Sequence, residues 1–115
     1  MEVKDYSFGR IVIGDKTLTS DVIVAKDKIL NDNWWRKEGH RVQLEDVKEI
    51  FDYKPEVVVF GTGAYGRMIV DDDVVEKLKS IGSEVYIDIT DKAVKIYNDM
   101  LKKGKKVVLA AHLTC

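Results

Sequence analysis

The spacing of apolar residues changes near residue 44 and divides the chain into two parts. In the first part the apolar positions alternate in short runs, as at Ile11 and Ile13, and Gly14-Asp15 separates two of these runs. Gly accepts positive φ and Asp bonds to nearby backbone amides, so this dipeptide is typical of a hairpin turn. The pattern predicts an N-terminal β-hairpin region up to about residue 25. Residues 26–43 show no periodicity, and we expect a long ordered loop there.

From residue 44 the pattern alternates between helix and strand. Apolar stripes at helical spacing predict three helices, over 44–54, from the aspartates at 71–73 to Gly82, and from Thr90 to about 103. Continuous apolar runs predict buried strands at Val57–Phe60 and Lys106–Leu113, and a further strand is predicted at Glu84–Ile89. Strands separated by helices run parallel when they are neighbours. The expected fold class is therefore α/β: one three-layer domain over 1–115, with a mixed central sheet flanked by helices and an N-terminal β-hairpin.

Composition narrows the class of protein. The 115 residues are 45% hydrophobic and 34% charged, which is a globular balance, and the formal net charge is −1. A dedicated nucleic-acid binder would show a basic excess or a basic face. No apolar run approaches the roughly 18–20 residues that span a bilayer, and the charged N-terminus does not look like a signal peptide. We expect a soluble, cytoplasmic protein with no nucleic-acid or membrane partner, and the scarcity of amide side chains leans towards a thermophile.

A glycine-rich segment follows the predicted strand at 57–60. Its glycines match G-x-G-x-x-G, and Asp88 lies 22 residues beyond the last of them, where a ribose-binding acid belongs in a dinucleotide site. In that motif the helix begins inside the glycine run, whereas here apolar residues and three aspartates come first. We therefore favour a loop that needs positive φ or close packing. The alternative is a pocket for a small molecule or anion, with these candidate residues: Gly61, Thr62, Gly63, Tyr65, Gly66, Arg67, Arg36 and His40.

The second candidate feature is Trp34-Trp35-Arg36, in the polar loop. Two adjacent tryptophans cannot easily both face a core, and exposed Trp and Arg are typical interface anchors. The three residues are therefore a candidate interface, the alternative being that both rings cover the core.

Metal and catalytic motifs are sparse. His112 and Cys115 form H-x-x-C, but a structural zinc site needs four ligands and a catalytic one usually three. No P-loop, G-x-S-x-G or H-E-x-x-H occurs. We predict no metal and no cofactor, and we assign no catalytic residue.

Five short segments in order resemble the Mth-like family, a small α/β family named from a methanogen protein of unknown function. They are Tyr6–Arg10, Asn33–Arg36, Gly39-His40, Gly61–Gly66 and Ala111–Cys115. The resemblance covers nearly the whole chain and implies three layers around a mixed sheet with an added β-hairpin, as well as closeness to an archaeal member. Its relatives include the adipogenesis-associated Mth-domain protein and a mitochondrial complex I assembly factor, which implies binding to other proteins. It carries over no catalytic residue.

Two functional hypotheses follow. The first is a protein-interaction or assembly module, with another protein or a second copy of the chain as partner, and we favour it chiefly through the resemblance. It predicts an exposed apolar patch. The second is a small-molecule or anion binder, or an enzyme, built around Gly61–Gly66. It predicts a concave site with convergent polar groups at the carboxyl end of the 57–60 strand.

Overall fold

The computed structural model describes all residues from 1 to 115. Ten strands and three α-helices occur, with one turn of 3₁₀ helix at Leu44–Asp46. The strands are β1 (Val3–Ser7), β2 (Arg10–Ile13), β3 (Lys16–Leu18), β4 (Val22–Ala25), β5 (Ile29–Asn31), β6 (Arg41–Val42), β7 (Val57–Thr62), β8 (Ile69–Val70), β9 (Glu84–Asp88) and β10 (Val107–His112). The helices are α1 (Lys48–Tyr53), α2 (Asp72–Ser80) and α3 (Thr90–Lys102).

The central sheet has five strands in the order β5-β4-β10-β7-β9. β10, β7 and β9 run parallel, because a helix crosses over between each of them along the chain, while β4 and β5 pair antiparallel. The predicted mixed α/β sheet is confirmed. The parallel strands β7, β9 and β10 bring their carboxyl ends to one edge of the sheet, and β4 starts at that same edge because Val22 pairs with Ala111.

The sheet separates two hydrophobic clusters. One face packs against α1, α2 and Trp34, with Ile50, Val74 and Leu78 fully buried. The other face packs against α3 and the antiparallel sheet β1-β2-β3, which contributes Ile11 and Ile13. β7 and β10 lie in the middle and bury every residue, which explains their continuous apolar runs. Helices on one side, and a helix plus a small sheet on the other, give the expected three layers.

The first third is more ordered than its sequence pattern indicates. Gly14-Asp15 does join two antiparallel strands, β2 and β3, but the predicted hairpin is part of a three-stranded sheet with a second turn at Phe8-Gly9. The apolar run at 22–25, predicted as part of the hairpin region, is instead β4 of the central sheet. The segment expected to be one long loop contains β5 and β6, which are two or three residues long and leave no periodic signal.

None of the three helices is long and apolar enough to cross a membrane.

The hydroxyl of Tyr97 on α3 offers a test of the packing between layers. It is fully buried and lies 2.7 Å from the carbonyl oxygen of Met1 and 3.1 Å from that of Ala25, to which it donates. We expect Tyr97→Phe to lower the free energy of unfolding by about 1 kcal/mol, because the buried hydrogen bond is lost without a change in ring packing. Tyr86→Phe is the matched control, since the Tyr86 hydroxyl bonds only to exposed Glu84. Urea denaturation of both variants measures the difference, and equal losses would contradict this role of Tyr97.

Candidate functional site

The glycine-rich segment closes the carboxyl end of β7 against two neighbouring parts of the chain. The Gly63 amide donates to the Thr90 hydroxyl at 2.8 Å, and that hydroxyl donates to the His112 carbonyl at 2.6 Å. Further along, the Ala64 amide donates to the Thr114 carbonyl at 2.7 Å and the Arg67 amide to the Cys115 carbonyl at 3.2 Å. The loop thus ties β7 to the start of α3 and to the residues after β10.

Two glycines in this segment have no room for a side chain. A Cβ on Gly61 would lie 2.8 Å from the Thr90 hydroxyl oxygen. A Cβ on Gly63 would lie 2.6 Å from the Thr114 carbonyl oxygen and 2.8 Å from Cδ2 of His112, and Gly63 has φ +104°. Close packing and positive φ, the interpretation preferred from the sequence, are therefore both present.

The residues predicted to form the anion pocket do not share one environment. Gly61, Thr62 and Gly63 are buried, whereas Tyr65, Gly66 and Arg67 are exposed. The loop amides described above bond within the chain, and none of the three surface hollows borders the loop. Helix α2 begins at Asp72, well after the glycines, as expected. Asp88, the candidate ribose ligand, accepts a hydrogen bond from the Ile89 amide at 2.8 Å. Ligand binding by the loop itself stays a prediction.

A different polar cluster lies at this edge of the sheet, and it is centred on Asp21. This residue precedes β4, so the β4–β10 register sets it opposite His112. One carboxylate oxygen, Oδ2, lies 2.8 Å from Arg36 Nη2 and 2.8 Å from His112 Nδ1. The other, Oδ1, accepts from the Leu113 amide at 2.8 Å. One carboxylate therefore joins the 34–41 loop to the end of β10.

The Arg36 side chain is held by hydrogen bonds and by stacking on an aromatic ring. Its Nε and Nη2 donate to the Gly39 carbonyl at 3.0 and 2.7 Å, and the guanidinium carbon lies 4.4 Å above the ring of Trp34. Trp34 itself donates from Nε1 to the Asp46 carbonyl at 2.9 Å. His40 is exposed, and its ring meets that of His112 edge-on with 5.3 Å between centroids.

Two atoms of the cluster have no partner. Arg36 Nη1 and His112 Nε2 are buried without a hydrogen bond. Three of the predicted pocket residues meet at the His112 ring. Arg36 and His40 both contact this ring, and Gly63 lies against it. Sequence reasoning missed Asp21 and gave His112 a different role. The only available signal for Asp21 was an acidic residue directly before a buried strand, which many surface turns share.

The electrostatics follow from these contacts. Burial of the Asp21 carboxyl raises its pKa, but hydrogen bonds from His112, Arg36 and the Leu113 amide outweigh this and hold the pKa below its usual value. Asp21 is therefore a carboxylate at neutral pH, opposite a buried guanidinium.

Exposed aromatic side chains surround this edge of the sheet. Trp35 is 75% exposed, Tyr65 73% and Phe8 57%, and the rings of Phe8 and Tyr65 lie 6.1 Å apart. Arg67, two residues after Tyr65, is exposed and forms no salt bridge. We call Phe8, Trp35, Tyr65 and Arg67 the aromatic rim.

The candidate interface Trp34-Trp35-Arg36 is divided by the fold. Trp34 and Arg36 are buried and only Trp35 faces solvent. The two tryptophans thus face opposite ways, which is one of the arrangements expected from their adjacency, and the structure narrows the accessible part of this interface to Trp35.

No group of three or more His, Cys, Asp and Glu side chains is arranged to hold a metal ion.

Comparison with known proteins places this geometry in a family. A sequence profile described as "Protein of unknown function (DUF498/DUF598)" matches residues 3–112. A conserved hypothetical protein from Pyrococcus horikoshii OT3 superposes with a TM-score of 0.83 at 21% identity, covering 100% of both chains. The protein MT938 gives 0.80 at 24% identity, covering 99% of this chain and 98% of that one. A Mth938-like domain from Bordetella pertussis gives 0.80 at 18%, covering 97% and 85%. The resemblance to the Mth-like family is confirmed.

Gly63 and Gly82 provide a test of the packing at the glycine loop. Both have positive φ, but a Cβ on Gly82 meets nothing within 4 Å. We expect Gly82→Ala to lower the free energy of unfolding by about 1–2 kcal/mol through backbone strain. Gly63→Ala carries the same strain and also overlaps backbone oxygens, so it should lower it by about 1–3 kcal/mol more. Chemical denaturation measures both. A Gly63→Ala variant as stable as Gly82→Ala would contradict the described packing.

Asp21→Asn tests the polar cluster. We expect a loss of about 1.5–3 kcal/mol at pH 7, because hydrogen bonds to a charged group are broken in a mostly buried site. The pKa of Asp21 is lowered in the folded state, so its contribution is present above its ordinary value of 3.8 and is lost as pH falls through the lowered folded pKa. The stability difference between wild type and variant should therefore be present at pH 7 and shrink below about pH 4. Asp99→Asn, on the exposed face of α3, is the control. A pH-independent difference would exclude a charged Asp21 as its source.

Proposed function

This chain belongs to the DUF498/DUF598 family of proteins of unknown function, and we propose that it acts as a protein-interaction module that binds its partner through the aromatic rim. The observation that carries the proposal is the exposure of three large aromatic side chains around one edge of a protein only 115 residues long. Scattered exposed apolar residues are normal on any protein, but exposed aromatic residues such as the neighbouring Phe8 and Tyr65, together with an arginine, have the composition of binding hot spots.

The rim is fixed rigidly to the fold, which favours binding. Phe8 lies in the turn whose next residue, Gly9, donates its amide to the Leu113 carbonyl at 2.9 Å. Tyr65 follows Ala64, whose amide bonds to Thr114. Trp35 lies between the buried residues Trp34 and Arg36. Segments whose backbone is ordered before binding lose little backbone entropy when a partner covers them.

The charges at the rim indicate the chemistry of the partner. Arg10 and Arg41 are paired with acidic residues of the same chain, but Arg67 has no such pair. An apolar partner surface that carries a carboxylate near its edge would cover the rings and pair with Arg67. We therefore propose a protein partner with an apolar, acidic-edged surface. The expectation of an assembly role, which came with the family resemblance, agrees with this choice.

Photo-crosslinking tests the proposal directly. A benzophenone amino acid at position 65 should crosslink to one protein when the variant is added to extract of the source cells, and the same group at exposed Ile81 should not. Ile81 follows α2 at the opposite end of the parallel strands. The identified protein is then purified and its affinity is measured by calorimetry. We expect Trp35→Ala and Tyr65→Ala each to weaken binding about tenfold or more, which corresponds to about 1.4 kcal/mol.

Ile81→Ala is the matched control, since it removes an exposed apolar side chain outside the rim, and it should leave the affinity unchanged. Equal losses in all three variants would mean that the rim is not the binding surface. Crosslinks at position 65 only to a second copy of this chain would overturn the proposal in favour of a homo-oligomer, which sedimentation would then show.

A further inference from the structure

We propose that Arg36 and His112 form a binding site for a small carboxylate, covered by the exposed ring of His40. This inference does not rest on the proposed interaction with a protein partner. It starts from two buried atoms without partners, Arg36 Nη1 and His112 Nε2. Their side chains are only 4% and 7% exposed.

An unpartnered polar atom in such a position is costly. Almost all buried polar groups in folded proteins are hydrogen-bonded, and each one left without a partner destabilises the folded state. Two of them occur here on neighbouring side chains, since Arg36 Nη2 lies 3.3 Å from His112 Nδ1. The other nitrogen atoms of both side chains have hydrogen-bond partners, so the free atoms are not the result of loose packing.

The other hydrogen bonds determine what the free atoms can do. Nε and Nη2 of Arg36 hold the Gly39 carbonyl, and Nη2 also holds Asp21. In the planar guanidinium Nη1 lies beside Nη2, so one of its two N–H groups points in the same direction as the Nη2 N–H that faces Asp21. His112 is oriented by Asp21 at Nδ1, which leaves Nε2 as the free atom of the ring.

Charge and proton balance indicate a carboxyl group. Asp21 and Arg36 form a pair without net charge. A carboxylate that binds together with one proton adds no net charge. This holds whether the proton is on a ligand oxygen or on His112 Nε2. One oxygen then accepts from Arg36 Nη1–H, and the other shares the proton with Nε2. A carboxylate and a guanidinium are well matched in geometry, and a doubly charged phosphate would leave a buried charge uncompensated.

The surroundings limit the size of the ligand. No surface hollow opens beside His112, and Gly63 lies so close to the ring that its missing Cβ would be 2.8 Å from Cδ2. Another neighbour of the His112 ring is His40, which is exposed and meets that ring edge-on. A rotation of the His40 side chain towards solvent would uncover the His112 ring. The smallest carboxylates, formate and acetate, are therefore the appropriate probes.

The test is an NMR titration of the full chain with sodium formate, with sodium chloride at equal ionic strength as reference. The backbone amides of Gly63 and Leu113 report on the site, because Gly63 lies against the His112 ring and Leu113 bonds to Asp21. We expect saturable shifts of these amides with formate and none with chloride. His112→Asn is the central variant, since its amide nitrogen can replace Nδ1 towards Asp21 while the atom equivalent to Nε2 is absent. It should bind formate at least tenfold more weakly.

His40→Ala serves as the matched control, because it removes the cover but neither binding atom, and it should bind formate as well as the wild type or better. The titration of the wild type decides even if His112→Asn does not fold. Shifts that fail to saturate, or that chloride reproduces, would overturn the proposal. So would a His112→Asn variant that binds formate as the wild type does, or a wild type that binds inorganic phosphate more tightly than formate.

Discussion

The carboxylate of Asp21 is the contact on which this end of the molecule depends. It accepts hydrogen bonds from the buried guanidinium of Arg36, the His112 ring and the Leu113 amide. The same residue's carbonyl accepts from the Trp34 amide at 2.7 Å. Together with Asp46, which accepts from the Trp34 indole and from the Lys37 amide, Asp21 fixes where the 34–41 loop lies on the sheet. A buried ion pair contributes little stability on balance, but removing one partner is costly. The Asp21–Arg36 ion pair therefore determines the position of the loop more than it stabilises the fold.

The glycine-rich segment shows how this short motif can serve packing. In a dinucleotide site the glycines allow a phosphate to approach backbone amides at a helix N-terminus. Here Gly61 and Gly63 allow the Thr90 hydroxyl and the segment after β10 to approach instead. Thr90 bonds to both Gly63 and His112, and so connects the central strands β7 and β10 to α3. The late start of the helix, readable from the apolar residues and aspartates after Gly66, was enough to recognise the difference.

What the sequence predicts well is what periodicity encodes. The buried strands at 57–60 and 106–113 were predicted because each contributes alternate residues to both cores, and the three helices because each contributes a regular stripe to one core. β5, β6 and β8 were not, because two or three residues cannot show a period. The candidate pocket and interface residues were chosen by residue type, but the partition of Trp34 and Trp35 between core and solvent needed the fold. The signal for Asp21, an acidic residue directly before a buried strand, was too common to identify it, since its importance comes from the β4–β10 register, which joins residues about 90 positions apart along the chain.

The alternation within Trp34-Trp35-Arg36 links the buried cluster to the surface. The Trp34 indole donates a hydrogen bond to the Asp46 carbonyl, and the Trp34 backbone amide donates one to the Asp21 carbonyl. Arg36 is fixed by its hydrogen bonds to Gly39 and Asp21. The backbone of Trp35 lies between two immobilised neighbours, so an exposed ring is held on a rigid support. A loop held only by its own backbone would sample many positions of this ring and lose them on binding. The polar cluster therefore supplies, to the backbone on both sides of Trp35, the order that this exposed residue cannot supply for itself.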